Sequence, residues 1–71
     1  MLEIGGIYRH YKNKHCYQVI AIGKSSETLE DLVVYKALYE SEEFPYGQVW
    51  CRPLRMWDEK VDGKIRFEKV Q

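Results

Sequence analysis

"LVVYKALY", residues 32–39, carries the side-chain pattern that settles the fold class of this chain. It is rich in β-branched and aromatic residues, which suit a pleated, half-buried surface. Alternate side chains of a strand share a face. Val33, Tyr35, Ala37 and Tyr39 therefore fall on one side, and Leu32, Val34, Lys36 and Leu38 on the other. Only Lys36 is charged, so both faces are apolar enough for a strand inside a sheet. "ALYE" also fits a helix, which leaves the end of this strand open.

The preceding residues supply its neighbours. "GIYRHY" (6–11) alternates Ile7, Arg9 and Tyr11 against Tyr8 and His10. Lys12, Asn13 and Lys14 read as a turn, since Asn tolerates positive φ. "CYQVIAI" (16–22) resumes as a strand, so residues 7–22 predict a hairpin. Gly23 ends that run. In "SSETLEDL" (25–32), Thr28 followed by Asp31 fits a capping-box variant, and acidic residues gather where a helix start favours them. Any helix here is short, because the strand at 32 follows at once.

On the other side, "ESEEFPYGQ" (40–48) is a loop, with Pro45 and Gly47 expected at the second and fourth positions of a type I turn begun at Phe44. "VWCRPLRMW" (49–57) opens as a strand that Pro53 should end. Alternation separates Cys51 from Trp50 and Arg52. Cys51 is expected inside, and its two neighbours on the opposite face. "PLRMWDE" suits one helical turn, with Trp57 folded back over the core. Asp62-Gly63 is a two-residue hairpin turn. "KIRFEKV" follows as the last strand, Ile65 and Phe67 sharing a face.

The expectation is an all-β chain of about five short strands with at most a turn or two of helix. Its 71 residues make a single small domain. A sheet this small protects its edges by bending or closing, which predicts a small SH3-like barrel. Eleven basic and eleven acidic residues cancel. A globally basic nucleic-acid surface is thereby excluded, and nucleic acid is disfavoured as a partner. Residues 1–71 contain no signal-peptide pattern and no membrane-length apolar run, and the two cysteines form no framework. A cytoplasmic domain with free thiols is expected, as a monomer or homodimer.

Candidate functional residues are few. His10, His15, Cys16 and Cys51 lack zinc-site spacing, and no cofactor or metal is implied. No glycine-rich phosphate loop is present, since Gly5-Gly6 precedes a strand. Cys51 stands beside Arg52, but it reads better as a small core residue than as a nucleophile. Trp50 and Arg52 share a face, as do Arg9 and Tyr11. An arginine beside aromatics can stack and still present a fork of donors to a carboxylate or phosphate. The competing reading pairs Arg9 or Arg52 with Glu27, Glu30 or Asp31 in an internal salt bridge. The candidate surface comprises Arg9, His10, Tyr11, Glu27, Thr28, Tyr35, Trp50 and Arg52. A non-catalytic module holding an anionic or peptide ligand is the first expectation. A nucleic-acid-binding barrel stacking bases on the same aromatics comes second, and a small enzyme or accessory subunit third.

Three ordered motifs also resemble a known family. "GIYRHYK", "SETLEDLVVYKALY" and "WCRPLRMW" are similar to the small bacterial family called domain of unknown function 1653, over nearly the whole chain. The resemblance rests on Tyr8 to Lys12, on Ser26, Glu27, Thr28 and Glu30, on Val33 to Tyr35 and Ala37 to Tyr39, and on Trp50 and Arg52 to Leu54 with Met56. Asn13 stands where the family often has glycine, Ser25 where histidine is frequent, and Trp57 where phenylalanine is usual. The resemblance implies a bacterial, cytosolic domain, alone or fused, and no particular activity.

Overall fold

The computed structural model describes residues 2–71. Five strands form one antiparallel sheet: β1 (Ile7–His10), β2 (Cys16–Lys24), β3 (Asp31–Ala37), β4 (Val49–Pro53) and β7 (Phe67–Lys69), in the order β4-β3-β2-β1-β7. A single helical turn, α1 (Leu54–Trp57), follows β4, and β5 (Lys60–Val61) and β6 (Lys64–Ile65) make a separate small hairpin. The chain is mainly β, as expected.

β3 lies between β2 and β4, and its predicted face is the buried one. Val33, Tyr35 and Ala37 join Tyr8, Tyr17, Val19, Trp57 and Phe67 in the core. Five of these eight side chains carry aromatic rings; Trp57 stacks flat on Phe67 at 3.8 Å and meets Tyr8 and Tyr35 edge-on. Aromatic bulk replaces the aliphatic volume that so short a chain lacks. Trp57 is 2% exposed and caps the core as expected.

The register of β2 on β3 slips between Val19 and Ala21. Ile20 is the extra residue, a bulge that bends its strand and increases the local twist. The sheet curls far enough that the guanidinium of Arg52, on β4, sits over the ring of Phe67, on β7, although these strands end opposite sides of the sheet order. No backbone ladder joins β4 to β7 among the described residues. Arg52, Phe67 and Trp57 span that gap with side chains, so the sheet closes by packing and not by a continuous ring of hydrogen bonds.

Several local expectations are corrected. The segment after Gly23 forms no helix. Ser25 is the capping residue, its hydroxyl accepting from the Glu27 and Thr28 amides. One turn closes through Leu29 N–H to the Ser25 carbonyl, and Leu29 at φ 63° returns the chain to β3. In the β1–β2 loop positive φ falls on Lys14 rather than Asn13. Asn13 stays in the ordinary region and uses its side chain to accept from His15 N–H. The loop before β4 turns over Pro45–Gln48, with Gly47 third at φ 83°. A type I turn does not permit that angle there, whereas type II requires it. Residues 64–70 do not form one strand: the chain bends at Arg66, leaving Ile65 exposed on β6 and Phe67 buried on β7. Asp62 and Gly63 both have positive φ, the type I′ geometry that their sequence predicts.

Candidate functional site

β4 determines where a site can be. Alternation along it holds, but its sense is the reverse of the expected one. Cys51 is exposed, while Trp50 and Arg52 turn toward the core side. The reason lies in β3. Trp50 pairs with Tyr35 and Arg52 with Val33, and cross-strand partners share a face. Since Tyr35 and Val33 face the core, Trp50 and Arg52 must too. Burying Cys51 would put an arginine and a tryptophan in solvent and leave the curled sheet without its cover.

The consequence is a cleft of about 420 Å³ at the rim of the core. Its floor is Tyr17, Tyr35 and Phe67. The end of β1 contributes His10 and the β1–β2 turn Asn13 and His15 to the lining, and the loop before β4 contributes Ser41, Glu43 and Phe44. Trp50 stands edge-on to Phe44 at 4.9 Å. His15 stacks on Tyr39 at 4.0 Å, and the Tyr39 and Tyr17 hydroxyls are 2.7 Å apart, with the Asn13 amide donating to Tyr17. Burial and that bond to Tyr17 push the Tyr39 phenol up to about 12. It therefore stays neutral at physiological pH.

Arg52 is the cation of the cleft. Its Nε lies 3.4 Å from the Tyr35 hydroxyl and its guanidinium 5.6 Å from the Phe67 ring centre. No carboxylate among the described residues forms a salt bridge with it. The acidic stretch expected as its internal partner is engaged elsewhere, Glu30 with Arg55 and Asp31 with Lys24. Arg9 is paired, with Glu68 of β7 at 3.1 Å.

His10 lies at the junction of this cleft and a second hollow of about 360 Å³, lined by Arg9, Tyr11, Lys14, Lys64, Ile65 and Glu68. Its ring packs on Phe67 and stacks with Tyr11. Burial lowers its pKa, and the nearby cations Arg52, Arg66 and Lys12 lower it further. Nδ1 accepts the Lys12 amide, so the neutral ring carries its proton on Nε2.

The structure thus gathers His10, Tyr35, Trp50 and Arg52 of the expected surface into one cleft. Arg9 and Tyr11 line the neighbouring hollow. Glu27 and Thr28 lie in the β2–β3 loop, where Thr28 accepts the Glu30 amide, and they line neither. Tyr17, Tyr39 and Phe67 belong to the cleft and were not anticipated. The alternation that links Tyr39 to Tyr35 is the sequence signal for one of them. The exposed Cys51 thiol projects from the other face of β4, away from His10. Among the described residues no group of three or more His, Cys, Asp and Glu side chains gathers as metal ligands, and no helix is long and apolar enough to cross a membrane.

The model of the family described as "Protein of unknown function (DUF1653)" matches residues 6–69. A crystal structure of a DUF1653 protein from Bordetella bronchiseptica superimposes with a TM-score of 0.78 at 37% identity, covering 93% of this chain and 85% of that one. No curated protein sequence matches. A family match across nearly all the strands, with the same fold at that identity, makes the chain a member of the DUF1653 family.

Proposed function

We propose that this protein is a non-catalytic binding module that holds an anionic group in the cleft around Arg52. One observation carries the reading: a partly buried guanidinium lines an aromatic cleft and has no carboxylate partner among the described residues. A buried or half-buried cation is normally paired, since leaving water costs it hydration. Here the Phe67 ring and the Tyr35 hydroxyl give partial compensation, and both leave donors of the fork open for a carboxylate or phosphate oxygen. Trp50 and Tyr39 offer apolar flanks beside that charge. The cleft volume falls in the lower part of the range for small-ligand sites, about 300–1,000 Å³.

Titration with sodium acetate, followed by NMR of the Arg52 Nε–H and the Trp50 indole, tests the reading. Saturable shifts of both, absent in Arg52→Gln, are expected. Equal shifts in the variant would overturn it.

A further inference from the structure

The strand that carries Arg52 is also an open edge. β4 ends the sheet order, bonded among the described residues only to β3. The Ala37 amide donates to the Gln48 carbonyl, which fixes the phase of the β3–β4 ladder. Hydrogen-bonded pairs in an antiparallel ladder alternate with non-bonded ones. From Ala37 and Gln48 they continue through Tyr35 and Trp50 to Val33 and Arg52. The backbone groups of Val49 and Cys51 therefore point away from β3, to the free edge. An independent contact agrees: the Gln48 side-chain amide donates to the Val49 carbonyl at 3.2 Å, as an incoming strand would. The Cys51 amide and carbonyl have no hydrogen-bond partner among the described residues beyond what the ladder supplies. Pro53 sits opposite Leu32, at a non-bonded position, where its missing N–H costs the ladder nothing.

The side chains follow the same alternation. A residue of an added strand opposite Arg52 would share its face and enter the cleft, and a residue opposite Cys51 or Val49 would lie on the outer face. On that outer face Val49 and Cys51 are both exposed, beside Lys36 and Val34 of β3. The cleft end of β4 is cationic. Arg52, Arg66 and Lys12 all act on His10 there, and among the described residues Arg66 alone of the three has a carboxylate partner, Glu59. Glu43 also lines the cleft.

Resting on the anion-binding reading of the Arg52 cleft, we infer that its ligand is an extended acidic peptide that adds to β4 as an antiparallel strand, with a carboxylate side chain opposite Arg52 and aliphatic ones opposite Val49 and Cys51. Main-chain bonds to Val49 and Cys51 supply affinity, and the alternate side chains in the cleft supply selectivity, as in other strand-addition complexes.

The probe is an acetylated, amidated pentapeptide alternating valine and glutamate, beginning and ending with valine, titrated into the full chain beside sodium acetate. Amide hydrogen exchange at Val49 and Cys51 is the readout. The peptide is expected to slow exchange at both and to displace the Gln48 amide. N-methylation of its valines, which removes the donors facing β4, is expected to weaken binding about tenfold or more, as loss of paired hydrogen bonds does. Acetate shifts Arg52 without slowing Cys51. Should the N-methylated peptide bind equally and Cys51 exchange stay fast while acetate still binds, strand addition is overturned and the anion cleft stands. Should neither acetate nor peptide need Arg52, tested with Arg52→Gln, both readings fall. A Cys51 amide already protected in the free protein, with sedimentation showing a dimer, would give the edge to a second copy of the chain and overturn the peptide assignment.

Discussion

Arg52 illustrates how a side chain can be partly covered and yet unspent. A buried ion pair broken by mutation costs about 3–5 kcal/mol, but Arg52 has no such partner among the described residues. Its long contact with the Tyr35 hydroxyl and its position over Phe67 support a cost of about 1–2 kcal/mol for Arg52→Ala. A urea denaturation curve measures it; a loss beyond about 3 kcal/mol would mean that Arg52 is a structural ion. His10 gives a pH signature of known sign. Its folded-state pKa lies below the ordinary value of 6.5, so the unfolded chain takes up its proton first. Stability from this residue is present above 6.5 and declines as pH falls through and below that value, levelling only below the folded-state pKa. Comparing midpoints of His10→Asn and the unmodified chain from pH 7.5 to 5 should show the unmodified chain losing ground on acidification. Asparagine retains an acceptor for the Lys12 amide but cannot titrate.

The turns show which local rules the elements obey. Leu29 holds φ 63° and is 69% exposed, so it bears the left-handed penalty and buries little. That penalty is about 1–2 kcal/mol for an ordinary residue, against about 0.5–1 kcal/mol of extra backbone entropy for glycine. Leu29→Gly should therefore stabilise the β2–β3 hairpin by roughly 0.5 kcal/mol, a rise of a few degrees in Tm by thermal denaturation. A fall would mean that the leucine side chain is packed. The bulge at Ile20 has a different role. By bending β2 it brings β4 and β7 close enough for Arg52 and Phe67 to meet, so the cleft depends on an irregularity in a strand distant from it in sequence.

For the molecule as a whole, stability rests on a small aromatic core. Trp57 stacks on Phe67 and packs edge-on against Tyr8 and Tyr35, joining β1, β3 and β7 through a helical turn of four residues. Truncation of such a side chain costs about 3–5 kcal/mol. A domain of this length holds only about 4–11 kcal/mol in total. Trp57→Ala should thus leave much of the chain unfolded at 37 °C, visible as loss of near-ultraviolet circular dichroism. Trp57→Phe, which keeps a ring on Phe67, should fold. Equal damage from both would mean that the indole edge, and not ring stacking, joins the strands.

The first four strands, the turn at Asp62-Gly63, the helical turn after Pro53 and the buried face of β3 were legible in the sequence, because each depends on near neighbours: side-chain alternation, φ preference or a missing N–H. So was the family, through motifs spread along the chain. Four of the cleft residues, His10, Tyr35, Trp50 and Arg52, could also be named from residue type. The tertiary structure decided what alternation leaves undetermined. A period of two separates Cys51 from Trp50 and Arg52 without saying which set is inside, and only the pairing of β4 with β3 chooses. Ser25 displaced Thr28 as the capping residue, since one closed turn and a left-handed Leu29 suffice to reverse the chain. Tyr17, Tyr39 and Phe67 come together from β2, the end of β3 and β7, and Glu30 and Asp31 are drawn to Arg55 and Lys24, leaving Arg52 for the cleft. Contacts between segments far apart in sequence arise from the curl of the sheet, and no local pattern encodes that curl.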